Sequence, residues 1–338
     1  MNILRNFASW ISLHLVGVCF LLTANVFALF GVLNANAIQE ALRAENTYTK
    51  IVPSVIASAR NDPKSAGQIP LNAPWVRTAA DTAFPASDLE QKGDTVIAST
   101  FTWLEGKGDK PVFSLDFTEN NARFSEEIGN NVTQQLSGLP ACNVRNLPAS
   151  FDVFNATCMP PGISAAQAGR TVSQQIANEG GFLKTPVISS DDFSLDALSG
   201  GATSQQNRSP FPQFDGLQSV YSQKTLLLWL LPLLTVAFMV IGLLLAQDRS
   251  KALRQITRSM VAGAIGLFVL GLLLTYGLKR LLDSTPSDAL TRDVFSPVLL
   301  NLAGQLQIIY FIFTGVGIGL AVATYIASRK IKPEPKIL

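Results

Sequence analysis

The chain has 338 residues, of which 48% are hydrophobic and only 15% are charged, and its formal net charge is +2. Soluble proteins carry about 25% charged residues, so the composition excludes an ordinary soluble protein and favours a membrane protein. We expect membrane lipid as a partner and no nucleic acid.

The apolar residues are concentrated in four runs that contain no Asp, Glu, Lys or Arg, at residues 7–33, 225–246, 259–278 and 303–327. A helix needs about 20 apolar residues to cross a bilayer. The sequence therefore predicts an α-helical membrane protein with four transmembrane helices. The first run has the alternative of a cleaved signal peptide, but the apolar core of such a peptide spans only about 7 to 15 residues, and the longer run here favours an uncleaved anchor.

The basic residues near the helix ends predict the orientation, because cytoplasmic loops retain an excess of Lys and Arg. Only Asp248 and Glu334 oppose nine basic residues beside the runs, whereas residues 34–224 carry 14 basic and 19 acidic residues. We therefore expect a multi-pass protein of the plasma or inner membrane, with residues 34–224 outside and both termini, residues 1–6 and 328–338, in the cytoplasm. Residues 279–302 form an outer loop, and residues 247–258 form a basic cytoplasmic turn that carries Arg249, Lys251, Arg254 and Arg258.

Residues 34–198 are predicted to form one extracytoplasmic domain, mainly helical with a minor β component, followed by a linker and juxtamembrane segment at 199–224. Hydrophobic periodicity predicts helices at 37–60, where Pro53 is a candidate break, and at 75–84, 87–104, 119–136 and 164–178. The alternation of Phe113, Leu115 and Phe117 predicts a strand within 111–117. Ser87, followed by Glu90, predicts a capping box.

Two of the three cysteines, Cys142 and Cys158, bracket a proline-rich stretch of this outer segment. Disulfides form and persist outside the cytoplasm, and this pairing would stabilise a short loop by up to about 3 kcal/mol. Separate buried thiols and a metal pair are the alternatives. The disulfide is favoured because the only histidine, His14, lies in the first apolar run.

That position of His14 also bears on catalysis. A Ser/His/Asp or Cys/His set is missing from the outer segment, as is a histidine-containing metal cluster. We predict no catalytic residue, no cofactor and no metal, and hence not an enzyme.

Small residues recur at four-residue spacing in the last two apolar runs. They are Gly263, Gly266, Gly315, Gly319 and Ala323. Such spacing lets helix backbones approach closely, either among the four helices of one chain or in a homo-oligomer or a complex with a protein partner. Near the outer end of the last helix, Asn301, Gln305 and Gln307 are expected to project toward the outer domain or to line a wet crevice.

One anchor helix, a large outer domain and three clustered helices follow one another in an order that resembles the permease subunits of the MacB and FtsX type. That resemblance implies transmission of force from a cytoplasmic ATPase, through a coupling helix that would fall at residues 247–258. The stretches "TFTWLEGKGDKPVFSLDF" and "LPACNVRNLPASFDVFNATCMPPG" resemble uncharacterised four-pass bacterial membrane proteins with a large extracytoplasmic domain between helices one and two, which implies no activity.

Two functions are therefore expected. The first is a non-enzymatic protein of the bacterial envelope, alone or as a subunit of a membrane complex, whose disulfide-stapled outer domain binds a protein or ligand partner. The alternative is a transport or mechanotransmission permease subunit that works with a cytoplasmic ATPase.

Overall fold

The computed structural model describes residues 2–61, 70–142, 151–178, 183, 185–191, 215–284 and 288–330. It is 80% helical, and four of its helices are long and apolar enough to cross a membrane. The predicted helical membrane class is confirmed to this extent. Of the predicted linker and juxtamembrane segment at 199–224, residues 199–214 lie outside the described residues, and Asp215–Ser222 form a short helix.

Eleven helices, a two-stranded sheet and one π-helical turn make up the described part of the chain. In chain order they are α1 (Asn2–Val32), α2 (Ala35–Ala44), α3 (Thr47–Asn61), α4 (Pro74–Ala83), α5 (Ala86–Leu104), β1 (Ser114–Asp116), α6 (Thr118–Ser137), α7 (Ala165–Asn178), β2 (Val187–Ser189), α8 (Asp215–Ser222), α9 (Lys224–Leu245), α10 (Arg249–Ser284), the π-helical turn (Thr291–Phe295) and α11 (Ser296–Lys330).

The four long helices α1, α9, α10 and α11 form a bundle in which α1 is central. The most apolar stretch of α1 is 44% buried, against 11% for α9, because α9 packs on one side of α1 and the α10–α11 hairpin packs on the other. Val16 and Phe20 of α1 are buried against Ile256 and Met260 of α10. The faces of α9, α10 and α11 that do not pack within the bundle are apolar and exposed, as expected for side chains in contact with lipid.

Elements α2 to α7 and the sheet form a second body, which we call the head domain (described residues 35–191). Its core lies between α6 and α7, where Phe124, Ile128 and Val132 face Val172 and Ile176. The predicted strand finds its partner in β2. The two strands pair antiparallel, with Leu115 opposite Ile188, and Phe113 and Phe117 beside β1 are buried.

The predicted disulfide is present, joining Cys142 to Cys158. On either side of it the chain is fixed by hydrogen bonds from Cys142 N to Met159 O (2.8 Å) and from Met159 N to Pro140 O (2.8 Å). Phe154 inside the closed segment stacks on Trp75 of α4, with ring centroids 6.0 Å apart. The segment therefore contributes to the head core, and the crosslink holds it there.

Two local predictions in the head domain are wrong. The helix predicted over 37–60 breaks at Glu45 and Asn46, where Asn46 has a φ of 51°, and Pro53 lies inside α3. Helix α5 begins at Ala86 after an N-cap at Pro85, without a side-chain cap, so Ser87 does not cap it. Pro85 already has the φ angle of a helix start (−63°), and α5 begins one residue before the predicted start at Ser87.

Candidate functional site

A charged cleft lies on the side of the head domain, between the first turns of α5 and of α6. It has a volume of about 280 Å³, enough for one or two amino-acid side chains or a small ligand. It is lined by Pro85, Asp88, Lys92, Asp116, Glu119, Asn120 and Arg123.

The base of the cleft is a closed polar network. Lys92 Nζ lies 2.6 Å from Asp88 Oδ1 and 4.9 Å from the centroid of the Phe117 ring. Asn120 donates from Nδ2 to Asp88 Oδ2 (2.9 Å) and to Ala83 O (2.7 Å). Because Asn120 is buried and both charges of the base are paired, we expect this floor to be rigid.

The rim of the cleft is more exposed and more acidic. Arg123 pairs with Glu119 at 2.8 Å, and the two side chains are 44% and 85% exposed. Hydrogen bonds from the Thr118 side chain and backbone lower the pKa of Asp116, so this carboxylate stays ionised near neutral pH. Three carboxylates and two cations thus line the cleft, which suits a partner group that carries both charges. No nucleophilic Ser, Cys or His belongs to this lining.

Two groups of side-chain hydrogen bonds, which we call joints, attach the head domain to the bundle, in addition to a contact between α3 and the π-helical turn. The first joint is formed by the end of α5 with α8 and α9. Glu105 accepts hydrogen bonds from Lys107 Nζ (2.8 Å) and Lys224 Nζ (2.7 Å), and these two ammonium groups lower its pKa to about 2. Gln218 Nε2 donates to Trp103 O and to Gly108 O, both at 2.9 Å. Beneath these bonds lies a buried cluster of Phe30, Phe101, Trp103, Leu104 and Tyr221.

The second joint sets the break between α2 and α3 on the start of α11. Asn301 Nδ2 donates to Glu45 Oε1 (3.1 Å), and Gln305 Nε2 donates to Asn301 Oδ1 (3.1 Å). Gln307 instead accepts from Thr275 of α10 at 3.0 Å. Asn301 thus projects toward the head domain.

Exposed aromatic residues mark two levels along the bundle, as is typical of membrane interfaces. Tyr276 is 67% and Trp229 is 77% exposed at the end nearer the head, and Trp10 is 53% exposed at the opposite end. Along α10, the eighteen residues from the basic Arg258 to the aromatic Tyr276 span about 27 Å of helix, close to the roughly 30 Å of bilayer hydrocarbon. This stretch of α10 is therefore about as long as the hydrocarbon core of a bilayer is thick.

Helix α10 starts, and helix α11 ends, at the basic end of the bundle. This is the end away from the head. Helix α9 ends at Leu245 and α10 begins at Arg249, so the predicted turn is short. Its four basic residues lie in the first three turns of α10. They are Arg249, Lys251, Arg254 and Arg258.

The predicted packing glycines divide into two groups. Gly263 faces Phe20, since a Cβ added there would lie 3.4 Å from the ring, and Gly266 lies at the edge of Leu21 at 4.0 Å. A Cβ at Gly315 or Gly319 would meet nothing within 4 Å, and Ala323 is exposed. These three do not pack within one chain, which corrects that alternative for α11; contact with an oligomer or partner remains a prediction.

Other glycines, which the spacing argument missed, mediate the close approaches. A Cβ at Gly317 would lie 3.1 Å from both Ala264 Cβ and Phe20 Cζ, and one at Gly242 would lie 2.6 Å from Leu13 Cδ2. Gly17 leaves room for Ser259 of α10. Gly317 lies between Gly315 and Gly319 in sequence and therefore on the opposite side of α11.

The sequence analysis did not predict the cleft either, although the sequence contains one indication of it. Asp88 and Lys92 are an i,i+4 pair on α5, and such pairs face each other on a helix. Asn120 arrives from α6 through the tertiary fold, so its part in the network had no local signal. Among the described residues, no group of three or more His, Cys, Asp or Glu side chains is placed to hold a metal ion.

Comparison with known proteins adds no further evidence. No family model, no curated protein and no solved structure matches the chain. The geometry of the head, the joints and the bundle therefore carries the proposed function.

Proposed function

We propose that the protein is a non-enzymatic integral membrane protein of the bacterial envelope whose disulfide-closed head domain binds a protein or ligand partner. The head lies outside the cytoplasm, and the four helices hold it at the inner membrane. Two observations support this placement. The basic residues cluster at the bundle end away from the head, as the retention of Lys and Arg in the cytoplasm requires, and a disulfide persists outside the cytoplasm.

The charged cleft carries the binding part of the proposal. Its floor is fixed by the Lys92–Asp88–Asn120 network, so little conformational entropy is lost there when a partner binds. Its rim pair, Glu119 and Arg123, is solvent-exposed and can exchange its internal ion pair for one with a partner. This combination suits recognition and offers no group for covalent chemistry.

Site-specific photo-crosslinking in intact cells tests the cleft. A photoreactive amino acid at Glu119 should capture one discrete partner, whereas the same amino acid at Asp81, on the exposed surface of α4, serves as the control. If the two positions give the same adducts, or if Glu119 gives none, the cleft is not the binding site.

The orientation has its own test with membrane-impermeant thiol reagents. Glu126 is exposed on α6 and Lys251 is exposed near the start of α10. A cysteine at Glu126 should be labelled in intact cells, and one at Lys251 only after the membrane is opened. The reverse pattern would place the head in the cytoplasm.

The two joints support the alternative of a mechanotransmission or transport subunit. They connect the head to α9 through Lys224, to α11 through Asn301 and to α1 through Phe30. The basic end argues in the other direction. Only Ala246 to Asp248 separate α9 from α10. Because the basic residues belong to α10 itself, there is no separate coupling helix here for an ATPase to bind. This alternative predicts co-purification with an ATPase and its loss on charge reversal at Arg254 and Arg258.

A further inference from the structure

The basic end of the bundle combines strong positive charge with a scarcity of acid. Arg254 and Arg258 are exposed on α10, and in the described part of the chain neither has an acidic partner. The one acid at this end of the described bundle, Asp248, already pairs with Lys251 at 3.4 Å. A ligand that brings negative charge to this surface therefore meets two free guanidinium groups.

The polar groups beside these two arginines converge at the seam between α1 and α10. His14 Nδ1 lies 3.2 Å from Gln255 Nε2 and 2.8 Å from Trp10 O, and the Trp10 and His14 rings are 4.3 Å apart. Gln255 lies between Arg254 and Arg258 in the sequence of α10. Arg258 is three residues after Gln255 and four after Arg254, and residues at these spacings are neighbours on the surface of a helix. We group these five residues as the seam patch (Trp10, His14, Arg254, Gln255 and Arg258).

The backbone beneath the seam patch is held by a close helix contact. Gly17 of α1 lies so near Ser259 of α10 that an added Cβ would overlap the serine hydroxyl. Since Gly17 is three residues from His14, and Ser259 is next to Arg258, the two halves of the patch cannot separate without breaking this contact. We expect the patch to be preformed.

The position of the seam patch selects the type of ligand. It lies at the aromatic level marked by Trp10, where the headgroups of a bilayer meet the hydrocarbon. From His14 toward the head, the same side of α1 exposes Val18 and Leu22, which are 50% and 48% exposed. A ligand with an anionic phosphate and acyl chains matches both parts, whereas free phosphate would match only the first.

We propose that the seam patch binds the headgroup phosphate of an anionic glycerophospholipid in preference to a zwitterionic one. Arg254 and Arg258 supply charge-assisted hydrogen bonds to the phosphate, His14 and Gln255 supply polar contacts, and an acyl chain lies along Val18 and Leu22. This binding is independent of what the head domain recognises.

The test uses the full-length protein with Trp229→Phe, so that Trp10 is the lipid-exposed tryptophan and Trp75 and Trp103 remain in the head. The protein is placed in phosphatidylcholine nanodiscs that contain brominated phosphatidylglycerol or brominated phosphatidylcholine at equal mole fraction. We expect Trp10 to associate with the brominated phosphatidylglycerol about tenfold more strongly. Equal quenching by the two lipids would overturn the proposal.

Two double variants separate a specific site from general attraction. Arg254→Gln with Arg258→Gln should abolish the preference. Arg329→Gln with Lys330→Gln removes the same charge at the end of α11 and should leave the preference intact. If both double variants lose it to the same extent, the lipid responds to overall charge and the seam patch is not a site.

Discussion

Helices α6 and α7 of the head domain cross closely, and the crossing depends on two glycines that face each other. A Cβ added at Gly169 would lie 2.5 Å from Gly129 O and would overlap the Thr133 hydroxyl, while one added at Gly129 would lie 2.8 Å from Gly169 O. At each glycine, one of the close neighbours is a backbone carbonyl oxygen, which cannot rotate away as a side chain can. Gly169→Ala must therefore push the two helices apart.

The size of the effect follows from two opposing contributions. Overpacking a well-packed core costs about 1 to 3 kcal/mol, and the backbone obstruction at Gly169 places this site at the upper end. Alanine in place of glycine inside a helix returns about 1 kcal/mol of helix propensity. We therefore expect Gly169→Ala to lower the free energy of unfolding of the head by about 2 kcal/mol, which is roughly a thirtyfold change in equilibrium constant.

Hydrogen exchange of the full-length protein in detergent, followed by mass spectrometry, measures this locally. Amides of α6 around Ile128 and Val132 should exchange about thirtyfold faster in Gly169→Ala. Gly138→Ala is the matched control, since its Cβ would lie 3.8 Å from the nearest atom, Gln135 O, and its φ is −85°. Equal protection in the two variants would refute the close crossing.

Three further predictions concern the crosslink, the first joint and the bundle. Cys142→Ser should lower the free energy of unfolding of the head by up to about 3 kcal/mol, and therefore its unfolding temperature. A reductant should lower the unfolding temperature of the wild type and leave that of the variant unchanged. The pKa of Glu105 is lowered from 4.5 to about 2, so its stabilisation is complete above about pH 4.5 and is lost as the pH falls toward 2; Lys224→Gln should flatten this part of the pH dependence of unfolding, and an unchanged profile would contradict the joint. Gly317→Leu should lower the unfolding temperature of the bundle in detergent whereas Gly315→Leu should not, and equal losses would place both glycines in the packed interior.

The membrane helices could be predicted from the sequence because the bilayer imposes both length and apolarity on them. The predicted run at 225–246 matches α9 (Lys224–Leu245) within one residue at each end. The run at 259–278 covers only the middle of α10 (Arg249–Ser284). Hydropathy reports the part of a helix in contact with lipid, and α10 continues at both ends with polar residues that hydropathy cannot assign.

The head domain was predictable in its local elements and much less so in its pairings. The alternation of Phe113, Leu115 and Phe117 identified β1, but its partner Val187–Ser189 has only three residues, too few for a period to be recognised. Small-residue spacing selected Gly315 and Gly319, whereas the structure uses Gly317 for close packing. Spacing shows which faces of a helix allow close approach, and the tertiary fold decides which one is used.

The most direct test of the account is affinity purification of the intact protein from its native membrane in mild detergent, followed by mass spectrometry. Arg123→Glu removes the exposed cation of the cleft rim, and Arg77→Glu, on the exposed surface of α4, is its control. We predict that an extracytoplasmic protein accompanies the wild type and Arg77→Glu and is lost from Arg123→Glu. A stoichiometric cytoplasmic ATPase, retained by Arg123→Glu and lost on charge reversal at Arg254 and Arg258, would contradict the proposed function.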